Sequence, residues 1–159
     1  MQKINKGLFT SETDKWNTPN NLIQDLSLVF DWDLDVCASS NNVCDFYFNE
    51  KDNGLKCDWR GLCWMNPPYG KEISKWIFRA RIHGLLPGTT VVCLLPARTD
   101  TKWWHNNISF ASHVVFIKGR LKFGDQKGSA PFPSAFVVFG ELNDEQRNKL
   151  ASYGWSIEI

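Results

Sequence analysis

Apolar positions along the chain alternate between helical spacing and short unbroken runs. Leu22, Ile23, Leu26, Val29 and Phe30 recur at helical intervals and predict an amphipathic helix over residues 19 to 29. Thr18 reads as its N-cap and Pro19 as its first helical residue. Residues 31 to 37 (Asp-Trp-Asp-Leu-Asp-Val-Cys) alternate acidic and apolar side chains, which predicts a strand running into a Ser/Asn-rich loop. Leu62-Cys63-Trp64-Met65 reads as a short apolar strand. Ile73, Trp76, Ile77 and Ala80 then predict a helix over residues 71 to 83, closed by Gly84. Thr89 to Leu95 is continuously apolar, as in a strand covered on both faces. A short helix from Asp100, a strand over 113 to 118 and a strong strand Ala135 to Phe139 follow. Asn143 with Gln146 has the form of a capping box opening a helix over 144 to 152, and residues 155 to 159 read as an edge strand.

Strands alternating with helices predict an α/β sandwich with a largely parallel sheet. The Gly/Pro-rich connection between 113 and 139 adds an antiparallel pair at its end. No repeat or linker divides the 159 residues, so one domain is expected, with the polar, aperiodic residues 1 to 15 as a loose arm. Hydrophobic residues at 43% and charged residues at 22% fit a globular protein and exclude disordered and collagen-like classes. The longest apolar run, Val91 to Leu95, is far below the ~20 residues of a membrane span. The N-terminal lysines have no apolar stretch behind them, so no secretory signal is expected and a cytoplasmic location follows.

Five cysteines (37, 44, 57, 63, 93) with irregular spacing and no CxxC fit reduced, mostly buried thiols; no metal site is expected. A net charge of +1 gives little general attraction to nucleic acid. Residues 98 to 127 nevertheless hold Arg98, Lys102, Lys118, Arg120, Lys122 and Lys127 against Asp100 and Asp125, a local basic stretch. Eight tryptophans are expected mostly in the core. The adjacent Trp103 and Trp104 cannot easily both be there, which makes one a stacking candidate.

The chemistry centres on Asn66-Pro67-Pro68-Tyr69, which follows a strand and precedes a helix, where open α/β sheets bind ligands. Two prolines fix the turn and remove two donors. Asn66 adds an amide oxygen and amide hydrogens, and Tyr69 a flat ring. Such a loop suits a planar ring bearing an exocyclic NH2. The Asn66 oxygen and the Pro67 carbonyl would each accept one amine hydrogen while Tyr69 stacks on the ring. The nitrogen lone pair is then directed at a methyl donor, with little need for a general base.

In order along the chain stand Trp16-Asn17-Thr18-Pro19, Asp33-Leu34-Asp35-Val36-Cys37-Ala38-Ser39, Asp52-Asn53-Gly54-Leu55 before Trp59, Asn66-Pro67-Pro68-Tyr69, Leu95-Pro96-Ala97-Arg98-Thr99-Asp100-Thr101 before Trp103, and Gly119-Arg120-Leu121-Lys122-Phe123. With these six strings the chain resembles the small phage-type (Dam-type) DNA adenine-N6 methyltransferases from Trp16 to Phe139. The resemblance implies S-adenosylmethionine as donor, adenine N6 as acceptor and a Rossmann-like, three-layer methyltransferase sandwich with a mixed sheet. It implies Asn66, Pro67, Pro68 and Tyr69 as the catalytic loop, and Trp16, Thr18 and Pro19 as cofactor-pocket lining. Asp35, Ala38 and Ser39 would meet the amino-acid and ribose part of the cofactor, and Asp52, or alternatively Asp58, its adenine amino group. No FxGxG or GxGxxG is present; Ala38-Ser39-Ser40 is the nearest substitute for that glycine turn. Asp31, Asp33 and Asp35 also read as one solvent-facing stripe.

A base in a duplex must leave the stack before it is methylated. Arg98, Lys102, Arg120 and Lys122 are the candidates for phosphate contact. Arg98 and Asp100, directly after the strand Val91 to Leu95, should open onto the crevice of Asn66, and Trp103 and His105 are candidates for touching the target strand. With no room for a separate recognition domain, specificity falls to loops 97 to 108 and 119 to 133 and is expected to be short-site or relaxed. DNA is the expected partner, with no membrane and no obligate protein partner. The same loop chemistry would also suit cytosine N4, RNA adenine or protein glutamine, and a non-catalytic nucleic-acid-binding module could keep the fold.

Overall fold

The computed structural model describes residues 15–39, 41–124 and 128–159. Residues 1 to 14 of the expected arm, Ser40, and Asp125 and Lys127 of the basic stretch lie outside the described residues. Helices α1 (Asn20–Leu26), α2 (Ile73–Gly84), α3 (Lys102–Asn107) and α4 (Asp144–Ala151) accompany strands β1 (Leu34–Asp35), β2 (Gly61–Met65), β3 (Thr89–Pro96), β4 (His113–Ile117), β5 (Ser134–Phe139) and β6 (Gly154–Glu158). The strands form one sheet in the order β1-β2-β3-β5-β4-β6.

The sheet is mixed. β1, β2 and β3 run parallel, whereas β3 with β5, β5 with β4 and β4 with β6 are antiparallel. The expectation of a largely parallel sheet is corrected: β6 pairs back onto β4, so the antiparallel part is half the sheet rather than a terminal pair. β3 and β5 lie in the middle, and β5 is buried at all six positions. Both faces are covered. Gly84 of α2 sits against Phe139 on one face; on the other Phe136 meets Trp64 and Tyr153, and Trp64 meets Trp32.

Three local readings change. Pro19, not Thr18, occupies the cap position of α1, because the Thr18 hydroxyl is used elsewhere. Gly84 does not close α2 as a left-handed cap; it is the last helical residue. A Cβ there would stand 2.4 Å from Cβ of Phe139, so the glycine lets helix and strand touch. The predicted strand 31–37 contracts to Leu34–Asp35, although its flanks stay bonded: Asp33 N–H to Leu62 O, Val36 N–H to Trp64 O and Ala38 N–H to Phe48 O. The capping box is as expected, with Asn143 and Gln146 bonded reciprocally. All five cysteines are free; Cys63 and Cys93 are buried, while Cys37, Cys44 and Cys57 are only half-buried.

Candidate active site

β1, β2, β3 and β4 all point the same way, so the chain leaves them at one end of the sheet. Beyond β1 and β2 lies a cleft of about 730 Å³. Trp16, Ala38, Ser39, Asn66, Pro67 and Pro68 line it, which brings together six of the residues expected from sequence.

Asn66 is the best-defined group in it. Its amide nitrogen donates to the Trp16 carbonyl at 2.6 Å and to the Thr18 hydroxyl at 2.9 Å. A backbone carbonyl only accepts, so the NH2 end must face the Trp16–Thr18 segment and the amide oxygen must face away. That oxygen, Oδ1, is buried and has no hydrogen-bond partner. Leaving such an acceptor unmet costs about 1–3 kcal/mol. Asn66 thus borders the cleft with a buried, fixed acceptor whose pairing capacity is unused.

Tyr69 is placed differently from expectation. Only 3% of it is exposed, its hydroxyl donates to the Leu94 carbonyl at 2.9 Å, and its ring packs edge-on to Phe123 and Phe132. Trp16 joins this cluster with centroids 5.4 Å from Phe123 and 5.1 Å from Phe132. The ring therefore anchors the end of the loop; its faces are not open to the cleft. Burial pushes the Tyr69 hydroxyl well above the usual phenol range, so it stays a donor.

Asp35 is buried beneath the cleft. Its carboxylate accepts from Cys37 N–H at 3.3 Å and Val43 N–H at 3.2 Å, which ties down the loop carrying Ala38 and Ser39. Burial raises its pKa to about 6 against the lowering effect of the Val43 and Cys37 amides. The stripe reading fails at this position: Asp31 and Asp33 are exposed and Asp35 is not. Asp35 borders a small adjoining hollow with Thr18 and Asn66 rather than the main cleft.

Thr18 and Pro19 are buried and act behind the cleft, with the Thr18 carbonyl accepting from Asn41. Asp52 accepts from Asn49 N–H at 2.8 Å in a tight turn; Asp58 is exposed. Neither lines the cleft, but Asn49, Glu50, Lys51 and Asn53 of that turn do. Sequence reading missed these, together with Asn17, Cys37, Gly54 and Trp76. Gly54 carried a usable signal. A Cβ there would meet the Val36 carbonyl at 2.1 Å, and Trp59 donates to the Gly54 carbonyl at 2.9 Å. Glycine is needed there because the 49–54 turn packs directly on the chain that follows β1.

The candidates for DNA contact lie outside the cleft. Arg98 is half-buried with its guanidinium 5.7 Å from the centroid of Phe132, beside the aromatic cluster. Asp100, Lys102 and His105 are exposed on and before α3, and Arg120 and Lys122 are exposed after β4. Trp103 and Trp104 are both half-buried and touch at 5.8 Å. Thr101 caps α3 by accepting from Trp104 N–H while donating to Arg98 O.

A family model described as DNA N-6-adenine-methyltransferase (Dam) matches residues 6–151. The chain belongs to this family. It is also 32% identical over 139 residues to a DNA N-6-adenine-methyltransferase of Haemophilus phage HP1 (strain HP1c1), covering 81% of this chain and 80% of that protein. All six strings that carried the resemblance lie within the matched residues, and the geometry gives several of them a physical task. Trp16–Thr18 orients Asn66, Trp59 pins Gly54, Thr101 caps α3, and Phe123 closes the aromatic cluster. Among the described residues no helix is long and apolar enough to cross a membrane.

Proposed function

We propose that the chain transfers a methyl group from S-adenosylmethionine to N6 of adenine in DNA, at the Asn66–Tyr69 loop. Membership of the Dam family and the name of the phage relative support the reaction class. The observation that carries the assignment of the loop is the buried, unpaired Oδ1 of Asn66. An exocyclic NH2 is the natural partner for an acceptor held with its orientation fixed.

The cleft fits the donor. About 730 Å³ lies inside the range of roughly 300–1,000 Å³ for cofactor sites, and its wall mixes tryptophan rings with asparagine and serine groups. Gly54 lets the 49–54 turn pack directly against the Val36 carbonyl at the edge of the cleft. The residues would divide as follows: Trp16, Ala38, Ser39 and the 49–54 turn hold the donor, with Asp35 fixing the Ala38–Ser39 loop from below. S-adenosylmethionine supplies an electrophilic methyl on a sulfonium. The fold implied is the Rossmann-like, three-layer methyltransferase sandwich.

Asn66 Oδ1 accepts one amine hydrogen and the Pro67 carbonyl the other, which leaves the nitrogen lone pair free along the remaining direction. The diproline keeps both acceptors in place, and Tyr69, bonded to Leu94, stops the loop from yielding. The rate gain is positional and electrostatic. Arg98, Lys102, Arg120 and Lys122 supply phosphate contacts, with Asp100, Trp103 and His105 near the target strand. If phage-encoded, the enzyme would meet its DNA in the host cytoplasm.

Wild type and Asn66→Ala are compared by methyl transfer to unmethylated DNA, with the modified nucleoside identified by mass spectrometry. The expected product is N6-methyladenine, and the variant should lose about 10²–10³-fold in kcat, the scale of removing one such polar group. N4-methylcytosine, an unmodified DNA product, or an alanine variant of full activity would overturn the reading.

A further inference from the structure

A second feature lies at the same end of the sheet, four strands from the catalytic loop. β6 starts where β4 ends, with Phe116 opposite Trp155 and Ile117 opposite Gly154. Between them is an open groove of about 470 Å³ lined by Phe116, Lys118, Ser152, Tyr153, Gly154 and Trp155. Trp155 is 66% exposed, an unusual position for the largest apolar side chain. It stacks on Phe116 at 5.5 Å and 26°. Phe116 meets Trp104 at 6.2 Å, and Trp104 meets Trp103, so a row of rings runs from α3 to the sheet edge. Of the groove's lining residues none is acidic and one, Lys118, is cationic, with exposed Arg120 two residues beyond it.

An exposed indole beside a lysine, with no carboxylate lining the groove, has the chemistry of a stacking platform for a polyanion with planar bases. We propose that this groove is a second DNA-contact site, taking an unpaired base of the flanking strand on Trp155 and its phosphate on Lys118. β2 and β6 are separated by four inter-strand spacings of ~4.8 Å, about 19 Å. At ~3.4 Å per stacked nucleotide that is five to six nucleotides from the target base. The proposal rests on the DNA-methyltransferase reading and extends it: the substrate is held open, or single-stranded, along this length. The row of rings would then do part of the work of a separate recognition domain.

The test uses the full chain with a labelled adenine-containing single-stranded oligonucleotide and the blunt duplex of the same sequence. Trp155→Ala should weaken single-strand binding about 5- to 150-fold, the range of one base stack, and Trp155→Phe should recover most of it. Lys118→Ala should lower the slope of log affinity against log salt by about 0.7. The thermal shift given by S-adenosylmethionine should stay at its wild-type value in all three variants. Unchanged single-strand affinity in Trp155→Ala overturns the proposal. So does a wild-type dimer in sedimentation that Trp155→Ala makes monomeric, since β6 would then face a second copy. If wild-type protein bound DNA through Trp155 yet transferred no methyl group, the groove would stand and the catalytic reading alone would fail.

Discussion

The two halves of the sheet are held together in different ways. The antiparallel half, β5-β4-β6, is long backbone ladders with buried side chains on β5 and most of β4. The parallel half ends in a two-residue β1, and what fixes the chain beyond it is single side chains reaching to backbone. Asp35 takes Cys37 and Val43, Asp33 takes Leu62, Trp59 takes Gly54, and Asn66 takes Trp16. Ladders pair backbone N–H and C=O groups with one another, so few backbone groups inside them remain for a ligand. Where they stop, side-chain polar atoms can be aimed, and one of them, the buried Asn66 Oδ1, is left unpaired. The candidate site sits in the half that is less regular for this reason.

Two glycines test whether the halves differ as claimed. Gly54→Ala would drive a methyl into the Val36 carbonyl, and Gly84→Ala into Phe139, both against backbone. Each should cost about 3 kcal/mol, the upper part of the range for overpacking a core. The difference is in binding. Gly54 lines the cleft, so its variant should also lose the thermal shift given by S-adenosylmethionine, while the Gly84 variant keeps it. Equal effects on binding from both would mean that the cleft is not the cofactor site.

A smaller effect separates the halves by pH. Asp35 has a folded pKa of about 6 against an ordinary 3.8, so between these values the folded chain holds a proton that the unfolded chain has released. Stability from this group is whole below about pH 4 and is lost as pH rises through about 6. Its size is on the order of 2–3 kcal/mol. Asp25, which joins α1 to Lys149 of α4 and to Tyr153, shifts the other way. Its contribution is lost only as pH falls below its ordinary 3.8, outside that window. Urea unfolding at several pH values should show wild type weakening from pH 4 to 6 and Asp35→Asn nearly flat. A wild type that strengthens over this interval would remove Asp35 from the buried position described.

Sequence was informative where the signal is local. β2, the diproline and α2 follow from a run, two imino acids and a helical period within some twenty residues, and β4, β5 and α4 were placed within one or two residues. It was uninformative where the deciding contact spans the chain. Thr18 looked like a helix cap because nothing nearby shows that Asn66, 48 positions on, takes its hydroxyl. Tyr69 looked like an open ring because its anchor, Leu94, lies on another strand. The 49–54 turn has no periodicity, so its share of the cleft could be seen only in three dimensions.

The mildest change belongs to the regular half. Asn143 accepts from Gln146 N–H at 2.8 Å, and Gln146 returns a bond to Asn143 N–H at 3.1 Å, at the exposed start of α4. Asn143→Ala removes one of these and leaves an orphan amide that water can reach, so it should cost about 1 kcal/mol. In this half the loss is expected to appear as a small drop in melting temperature with kcat and cofactor shift unchanged, because α4 meets the sheet at β6 and contributes no residue to the cleft lining. A matched fall in kcat would show that the regular half transmits to the site, and the division of labour between ladder and loop would have to be withdrawn.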